Sequence, residues 1–384
     1  MAKRRSIALT YTYNDDWIGG TYYIQNLIAC LSYVEDRRKP ALVIVTEDNK
    51  YFEELKKITS YPYLYKWSKV KRMNLFFRLI NKAGRSLIGK NIFNTVNDES
   101  EIDILFPSVN PHLPQVKKIL YWIPDFQEHH LPDLFSKEEI EQRKIYQQLV
   151  LEQGKFIVFS SRPVQKDFNE IYPSNKLKQF ILPFAVIHPK LEDESPVVNK
   201  YQLPEKYFIC CNQFWRHKDH ATVLKAVSQL IKTGKSVFVV FTGKEYDYRS
   251  PDYFNELRRL VDLLGVQDSV KFTGFIPRNE QLILMKKAQA VLQPSLFEGW
   301  STVVEDAKAL NIEIIASGLE VHKEQLKTYK NCKMFPAGDV DQLVNCMLDT
   351  MLNGDNTPKP AYSYLQEVRI FGTTFIDIVD SICQ

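Results

Sequence analysis

The sequence lacks a long apolar run, a marked excess of one charge and any cysteine spacing typical of a metal site. No apolar run reaches the roughly 18 residues that cross a bilayer, and the stretch after the basic N-terminus is too short for a signal-peptide core. With 50 Lys+Arg against 46 Asp+Glu, the net charge of +4 does not indicate a nucleic-acid binder. The cysteines are Cys30, Cys210, Cys211, Cys332, Cys346 and Cys383. We interpret them as small apolar residues in a reducing compartment, which predicts a cytoplasmic protein.

What the chain does have is the composition of an ordinary globular protein: 384 residues, 45% apolar and 25% charged. This length predicts two domains. Short β-rich runs such as 41–46, 102–106, 237–243 and 312–317 alternate throughout with amphipathic runs, among which helices are predicted at 49–59 and 72–84. Continuous apolar strands that alternate with helices predict parallel sheets covered by helices on both faces.

The two halves are separated by a stretch near 188–204 that is rich in proline and acidic residues and has no period. We predict an α/β fold with two doubly wound, Rossmann-like domains: 1–190, a linker at 191–204, 205–360, and a closing C-terminal helix at 361–384. Ligands bind at the carboxyl ends of the strands in such sheets, so we expect the site in a cleft between the domains.

The segment PSLFEGWSTVVEDA, residues 294–307, carries the strongest chemical signal. Glu298 lies in a loop after a buried strand, and Ser301 is placed to cap a helix that contains Glu305. The first amides and the dipole of that helix would form a seat for a diphosphate. Two carboxylates about 10 Å apart suit a sugar and a ribose. The alternative is a solvated loop glutamate and a first-turn glutamate favoured by the dipole.

This segment, together with FTGF at 272–275, AVLQPS at 290–295 and ASG at 316–318, resembles the retaining glycosyltransferases of the GT-B fold, family 4 (group 1). The resemblance implies two Rossmann-like domains facing across a cleft, with a C-terminal helix that closes back toward the N-terminal domain. In that family the first Glu of a pair binds the hydroxyls of the donor sugar and the second binds the ribose. Carried over, these are Glu298, which we assign as catalytic, and Glu305.

One departure concerns the spacing of this pair. The family has seven residues between the two carboxylates, and six separate Glu298 from Glu305 here. The loop must therefore be one residue tighter. The four residues that directly follow Glu298 are predicted to bind the donor as well. They are Gly299, Trp300, Ser301 and Thr302.

A second donor-binding signal follows the first strand of the second domain. Lys218 matches a family lysine on the diphosphate, where a compact charge is suitable. The family's arginine falls on Gln213, and Arg216 is close enough in sequence to replace it. His217 and His220 lack a third ligand, so we predict no metal there.

Gly19 and Gly20 follow the first strand and precede a helix predicted at 20–34. Glycines in such a turn allow the backbone to approach a phosphate closely. The resemblance assigns them to the glycine loop over the donor diphosphate; a plain loop is the alternative. Because the segment lacks G-x-G-x-x-G, a nicotinamide oxidoreductase is not indicated.

Asp125 ends a buried strand and is our second catalytic candidate. Many family members have a His-Asp pair at this place, but Pro124 occupies the histidine position here. Asp125 would orient the acceptor hydroxyl or accept its proton, whereas the alternative is a turn aspartate after proline. Either His129 or His130 would restore the missing imidazole.

Residues 61–97 contain eight Lys/Arg and no acid, interleaved with aromatic and aliphatic residues. Such a stretch suits an anionic membrane surface, and equally a solvated helix face. Asp339 and Asp341 form an Asp-x-Asp motif, which is used for metal in the other main glycosyltransferase fold. Here the motif opens a predicted helix and is interpreted as a cap.

We predict a glycosyltransferase that uses a UDP- or GDP-sugar, retains configuration, and needs neither a metal nor a cofactor. The acceptor would be a glycan, such as a lipid-linked capsule or O-antigen intermediate, and nucleic acid is not expected as a partner. The enzyme would be cytoplasmic or peripheral on the inner face of the plasma membrane. A non-catalytic nucleotide- or glycan-binding partner subunit and a sugar-nucleotide epimerase are the alternatives.

Overall fold

The structure, a computed structural model, divides into two compact units. It describes residues 4–13, 18–46, 48–67, 102–107, 116–191, 195–353 and 362–384. The first unit consists of Met1–Trp122 with Ile376–Gln384, and the second of Ile123–Phe375. The helix expected at 72–84 and most of the basic segment 61–97 lie outside the described residues.

In the first unit, five strands run parallel in the order β3-β2-β1-β4-β5. They are β1 (Ser6–Thr10), β2 (Ala41–Val45), β3 (Leu64–Lys66), β4 (Ile102–Phe106) and β5 (Val116–Ile123). Helix α1 (Ile18–Leu31) follows β1, and helix α2 (Asn49–Thr59) follows β2. Central strands such as β1 and β4 are almost wholly buried, which explains their continuous apolar sequence.

The end of the chain also belongs to this unit. The Asp380 carboxylate accepts hydrogen bonds from Arg5 Nε at 3.0 Å and Arg38 Nη2 at 3.0 Å. Arg38 Nη2 also donates to Asp377 at 2.7 Å. These ion pairs, together with the burial of Val379, attach the last turns of the C-terminal helix to the first unit. The prediction of a C-terminal helix that returns to the N-terminal part is confirmed.

The second unit holds one parallel strand pair and a six-stranded parallel sheet. The pair is β6 (Phe156–Phe159) and β7 (Lys178–Ile181). The sheet has the order β10-β9-β8-β11-β12-β13. Its strands are β8 (Phe208–Cys210), β9 (Val239–Phe241), β10 (Val270–Phe272), β11 (Val291–Gln293), β12 (Ile314–Ser317) and β13 (Cys332–Phe335).

Helices follow most of these strands along the chain. Those before the sheet are α3 (Gln127–His130), α4 (Lys137–Gln153), α5 (Arg162–Ile171) and α6 (Ser195–Tyr201). The helices that follow the six strands of the sheet in sequence are α7 (His220–Lys232), α8 (Tyr253–Leu264), α9 (Arg278–Lys287), α10 (Thr302–Ala309), α11 (Glu320–Gln325) and α12 (Val340–Asn353). The final helix is α13 (Leu365–Cys383).

Both faces of the six-stranded sheet are covered. Phe208 and Cys210 pack with apolar residues of α7, α8 and α12. Ile209 points the other way and packs with apolar residues of α9 and α10. Successive strand residues alternate between faces, so a strand buried on both sides must be apolar throughout. The predicted fold of two parallel, Rossmann-like sheets with helices is confirmed.

The differences from the sequence-based prediction have simple causes. Strand β3 has the sequence LYK and lies half-exposed at an edge, so no apolar run marked it. The composition of the predicted linker 191–204 gave no sign of α6. The two compact units divide at Trp122 rather than near residue 190, and the domain boundaries at 190 and 204 remain predictions.

None of the helices within the described ranges combines the length and the apolar character that crossing a bilayer requires.

Candidate functional site

Polar side chains gather at the carboxyl ends of β8, β11 and β12. Asn212 follows β8, Gln293 ends β11, Ser295 and Glu298 follow it, and Ser317 ends β12. Because the carboxyl ends of parallel strands lie at one edge of a sheet, residues distant in sequence meet here. This is the edge at which doubly wound sheets bind ligands.

The carboxylate of Glu298 is the centre of this cluster. Its Oε1 accepts hydrogen bonds from Lys218 Nζ at 2.6 Å, Gln293 Nε2 at 2.8 Å and Ser295 Oγ at 2.8 Å. Only 8% of the Glu298 side chain and 15% of the Lys218 side chain are exposed. Such a largely desolvated, hydrogen-bonded ion pair fixes the orientation of both groups.

Neutral groups support this pair from the interior. Asn212 Nδ2 donates to Gln293 Oε1 at 3.1 Å. Behind them, His322 Nδ1 lies 2.8 Å from the Ser317 carbonyl oxygen. Burial holds the pKa of His322 below its usual value, so its imidazole is neutral near pH 7. The positive charge beside Glu298 therefore comes from Lys218.

The residue after Glu298 touches the segment that carries Asp125. A Cβ atom built on Gly299 would lie 2.3 Å from the Pro124 carbonyl oxygen and 3.0 Å from Asp125 Cβ. No side chain fits at 2.3 Å, so the contact requires glycine. This close approach of the two backbones brings both predicted catalytic residues, Asp125 and Glu298, to one place.

Asp125 is oriented but partly open. Its Oδ1 accepts hydrogen bonds from the Gln127 amide at 3.2 Å and from Arg143 Nη1 at 3.3 Å. Arg143 Nη1 also donates to Glu128 Oε2 at 3.0 Å. The Asp125 side chain is 27% exposed, whereas that of Glu128 is 6% exposed. Asp125 can therefore accept a further hydrogen bond from a ligand.

The start of α10 is capped as the sequence predicted. Ser301 Oγ accepts a hydrogen bond from the Val304 amide at 3.4 Å. The Gln325 side chain binds the main chain of Ser301 twice, with Nε2 donating to the carbonyl oxygen at 2.7 Å and Oε1 accepting from the amide at 3.2 Å. Thr302, the first helical residue, is half-buried. A fixed helix start of this kind is suited to an anion.

Glu305, the predicted ribose ligand, is part of the protein interior. Its side chain is 1% exposed, and Lys308 Nζ lies 3.0 Å from Oε1. Gln325 Nε2 donates to Oε1 at 2.8 Å, and the Tyr364 hydroxyl donates to Oε2 at 2.6 Å. Burial raises the pKa of Glu305 above its usual value. With both oxygens bonded to protein donors, this environment does not favour the predicted role.

The next residue, Asp306, escaped the sequence analysis. Seven residues separate it from Glu298, which is the family spacing. Asp306 is fully buried, and its Oδ1 binds His188 Nε2 at 2.9 Å and Arg278 Nη2. Its Oδ2 has no hydrogen-bond partner among the residues that the structure describes. The spacing alone could have identified it.

Arg216 and Trp300 contact the protein rather than the cluster around Glu298. Arg216 Nη2 donates to the two oxygens of Glu256 at 2.9 and 2.8 Å, and its guanidinium lies 4.7 Å from the Tyr253 ring centre. Trp300 Nε1 donates to the Phe184 carbonyl oxygen at 3.1 Å. These contacts do not favour Arg216 as the replacement for the family arginine.

Gly19 and Gly20 lie in the first turn of α1, which begins at Ile18. Gly19 therefore lies within the helix and not in the loop that was predicted before it. A Cβ atom on Gly19 would meet nothing within 4 Å. Thr21 Oγ1 donates to the Thr12 carbonyl oxygen at 3.2 Å and so fixes this helix start.

Of the two histidines suggested to replace the family imidazole, His130 is the one whose ring contacts the loop before Glu298. Its ring centre lies 5.2 Å from that of Phe297. His130 Nε2 is 2.8 Å from Asp167 Oδ2. His129 and His130 are both exposed on the short helix α3.

Within the described parts of the chain, no group of three or more His, Cys, Asp and Glu side chains is arranged to hold a metal ion. His217 and His220 are buried, and burial lowers the pKa of both, to about 3 for His220. Asp339 Oδ1 accepts a hydrogen bond from the Gln342 amide at 3.0 Å, which confirms the predicted cap.

Sequence comparison finds a match to a known family in the second half of the chain. Residues 192–364 match the family model described as glycosyl transferases group 1. A curated relative, the O-antigen chain mannosyltransferase RfbU of Salmonella typhimurium, is 23% identical over 218 residues. This match spans 56% of the present chain and 56% of the relative's length.

Structural comparison covers nearly the whole chain. A glycosyltransferase from Rickettsia africae has a TM-score of 0.62 at 14% identity, over 99% of this chain and 94% of that one. HepE of Anabaena, crystallised with UDP and glucose, has a TM-score of 0.62 at 13% identity, over 99% and 98%. WaaG, a glycosyltransferase involved in lipopolysaccharide biosynthesis, has a TM-score of 0.58 at 13% identity, over 98% and 98%.

Residues 192–364 therefore resemble the glycosyl transferases of group 1, and the chain has the GT-B fold. The Glu298–Lys218 pair and the capped start of α10 lie inside the matched region.

Proposed function

We propose that the chain is a nucleotide-sugar-dependent glycosyltransferase that retains the configuration of the transferred sugar. The observation that carries this proposal is the desolvated Glu298–Lys218 ion pair at the ligand-binding edge of a glycosyltransferase group 1 domain. The carboxylate of Glu298 suits sugar hydroxyls, and the ammonium group of Lys218 suits a diphosphate. The two groups lie 2.6 Å apart.

In this proposal Glu298 accepts hydrogen bonds from the hydroxyls of the donor sugar. Lys218 has three N–H donors, so it can keep its bond to Glu298 while it binds a phosphate oxygen. The amides at the start of α10, next to Thr302, stabilise the same diphosphate as its charge grows in the transition state. This distribution of positive groups is why we propose transfer without a metal ion.

The reaction would proceed with attack from the face that the leaving group vacates. The bond between the anomeric carbon and the diphosphate oxygen breaks, and a bond from the acceptor oxygen to the same carbon forms. The acceptor proton passes to the departing diphosphate. Asp125, beside Gly299, would orient the acceptor hydroxyl.

For the ribose we propose Asp306 in place of Glu305. Asp306 has the family spacing to Glu298. Its Oδ2 has no hydrogen-bond partner among the described residues, and a buried carboxylate oxygen without a donor is costly. A ribose hydroxyl would supply that donor once ligand binding opens the site to Asp306, whose side chain is fully buried in this structure. Glu305 would instead hold α10 through Gln325 and Tyr364.

The acceptor would be a growing glycan of a bacterial surface polysaccharide. The supporting observation is the sequence similarity to RfbU, whose name describes an O-antigen chain mannosyltransferase. A lipid-linked acceptor would place the enzyme at the inner face of the membrane, where the basic segment 61–97 would contact anionic lipid.

The proposal is tested by thermal stabilisation with UDP-, GDP- and ADP-sugars and the free diphosphates, with and without EDTA. A ligand that binds only the folded state at 100 times its dissociation constant adds about 2.7 kcal/mol. We expect a shift with one base that survives EDTA and is lost in Lys218→Met. Lys225→Met, an exposed lysine on α7, is the matched control.

No shift with any nucleotide would contradict the donor site at Lys218, Glu298 and Asp306. A shift that EDTA abolishes would contradict metal-independent binding alone. Retention is tested separately by proton NMR of the anomer first released during slow hydrolysis of the donor, and release of the inverted anomer would contradict it.

A further inference from the structure

A pocket of 310 Å³ lies next to Asp125 within the second unit. The chain segments that build it are the end of β5, helix α4 and the loop after β9. The side chains that matter here are Asp125, Glu139, Gln142, Arg143, Tyr146 and Tyr248. Its volume is at the lower end of the range for small-molecule sites, about 300–1,000 Å³.

The wall formed by α4 is fixed in place. Ser136 Oγ accepts a hydrogen bond from the Glu139 amide at 3.1 Å, and Glu139 Oε2 accepts one from the Ser136 amide at 2.9 Å. This capping box defines where α4 begins. Gln142, Arg143 and Tyr146 then follow at helical spacing, so they project toward the pocket from successive turns.

One side chain of the pocket also borders the donor loop. Asp125 lines the pocket, and its Cβ lies 3.0 Å from the position of a Cβ built on Gly299. Gly299 directly follows Glu298. A ligand in the pocket that binds Asp125 would therefore present a hydroxyl beside the proposed donor sugar.

The charged side chains that line the pocket do not favour an anionic ligand. The one guanidinium among its lining side chains, Arg143, is already paired with Asp125 at 3.3 Å and with Glu128 at 3.0 Å. Glu139 adds a further negative charge. A phosphate or a uronic acid would face two carboxylates and a neutralised arginine, so neither would be stabilised.

The remaining chemistry suits a neutral, polyhydroxylated ligand. Carboxylates and amides such as those of Asp125, Glu139 and Gln142 can each bond adjacent hydroxyls. Tyr146 and Tyr248 offer apolar ring faces with a polar tip. Tyr248 is 52% exposed, so its ring is accessible from solution.

We propose that this pocket binds a neutral sugar unit of the acceptor glycan and holds it for transfer. The inference rests on the proposed glycosyltransferase function and specifies its acceptor side. A hydroxyl of the bound sugar donates to Asp125, and the sugar ring contacts Tyr248 and Tyr146. Arg143 positions Asp125 and does not itself bind the ligand.

The test uses saturation-transfer NMR on the full chain with the methyl α-glycosides of mannose, glucose and galactose, and with glucuronate as the charged probe. We expect transfer to at least one neutral glycoside and none to glucuronate. In Tyr248→Ala and Gln142→Ala the dissociation constant should rise by about tenfold, which corresponds to 1.4 kcal/mol.

Each variant has a matched control that leaves the pocket intact. Tyr246→Ala removes a tyrosine of the same loop that is 48% exposed, and Gln148→Ala removes an exposed glutamine of α4. Neither residue lines the pocket, and both controls should bind the glycoside as the unchanged chain does. Equal loss in a variant and its control would overturn the proposal.

Nucleotide binding separates this proposal from the one on which it rests. Thermal shifts with nucleotide-sugars should be the same in Tyr248→Ala, Gln142→Ala and the unchanged chain. A nucleotide shift without transfer to any neutral glycoside, measured with the nucleotide present, would overturn the pocket and leave the donor site standing. Glycoside binding without any nucleotide shift would instead overturn the glycosyltransferase proposal.

Discussion

The loop at 294–300 and the helix α10 that follows it carry acidic side chains of opposite use. Glu298 in the loop is desolvated, but it lies at the edge where ligands bind and its cation, Lys218, is 15% exposed. Glu305 on the helix is 1% exposed, and its partner Lys308 is 3% exposed. The role of a carboxylate therefore depends on its exposure and its partners as well as on its position in a motif.

The comparison also shows that the helix supports the loop. Gln325 binds the main chain of Ser301, where the loop ends, and at the same time bonds Glu305 on the next turn. Tyr364 bonds Glu305 and accepts a hydrogen bond from the Val186 amide at 2.9 Å. Glu305 thus stabilises the structure that presents the donor site.

The largest expected effect is on stability. Glu305→Gln leaves Lys308, 3% exposed, without its carboxylate, and breaking a buried pair costs about 3–5 kcal/mol. Glu320→Gln is the matched control because Glu320 and Lys323 have the same spacing but are 75% and 53% exposed. Urea unfolding should show a change below about 0.5 kcal/mol for the control. Equal effects would refute a structural role for Glu305.

The next effect is on turnover. Glu298→Gln keeps the shape of the side chain but removes the charge opposite Lys218. We expect the rate of donor hydrolysis to fall at least about 100-fold, as when one key polar group of an active site is lost. The rate is measured from the release of the nucleoside diphosphate. Melting temperature should change far less than in Glu305→Gln. Undiminished hydrolysis by a folded variant would remove Glu298 from the site.

A third effect separates two glycines. Gly299→Ala puts a methyl group 2.3 Å from the Pro124 carbonyl oxygen, and such overpacking costs about 1–3 kcal/mol. Gly19→Ala meets nothing within 4 Å and lies in α1, where alanine is favoured by about 0.5–1 kcal/mol. Differential scanning fluorimetry should show opposite shifts. A neutral Gly299→Ala would mean that the two backbones are not in contact.

The smallest effect concerns pH and the turn that carries Lys218. Burial lowers the pKa of His220 to about 3 from 6.5, so the unfolded chain binds the proton more readily between those values. Stability is then complete above pH 6.5 and falls as pH drops, by up to about 1.4 kcal/mol per unit. His220→Phe keeps the stacking on Phe214. In this variant the midpoint of urea unfolding should change less between pH 7 and pH 5 than in the unchanged chain. His129→Phe, at an exposed site, should not.

Much of the fold followed from periodicity. The strand predicted at 102–106 and the helix predicted at 49–59 match β4 and α2 residue for residue. Buried strands and amphipathic helices leave a local signal in the sequence. By contrast, buried and exposed side chains alternate little along the edge strand β13, and Phe335 is its only buried residue. This strand was therefore not predicted.

The site was predictable only where its contacts are local. The cap of Ser301 is such a contact, and it was predicted correctly. Arg216 was expected on the diphosphate because of its neighbour Lys218, but its partner Glu256 lies 40 residues away. Sequence spacing does not report partners at that distance. The Asp306 spacing was visible, but the adjacent Glu305 matched the expected residue type.

Attachment of the C-terminal helix to the first unit has a consequence for how the protein is made. The partners of Arg5 and Arg38 include Asp377 and Asp380, which emerge from the ribosome roughly 250 residues after Trp122. At about 5–20 residues per second, the first unit waits roughly 10–50 s for its last element. Its β-strands are synthesised before the segment that completes the unit, so they are exposed to aggregation during that interval.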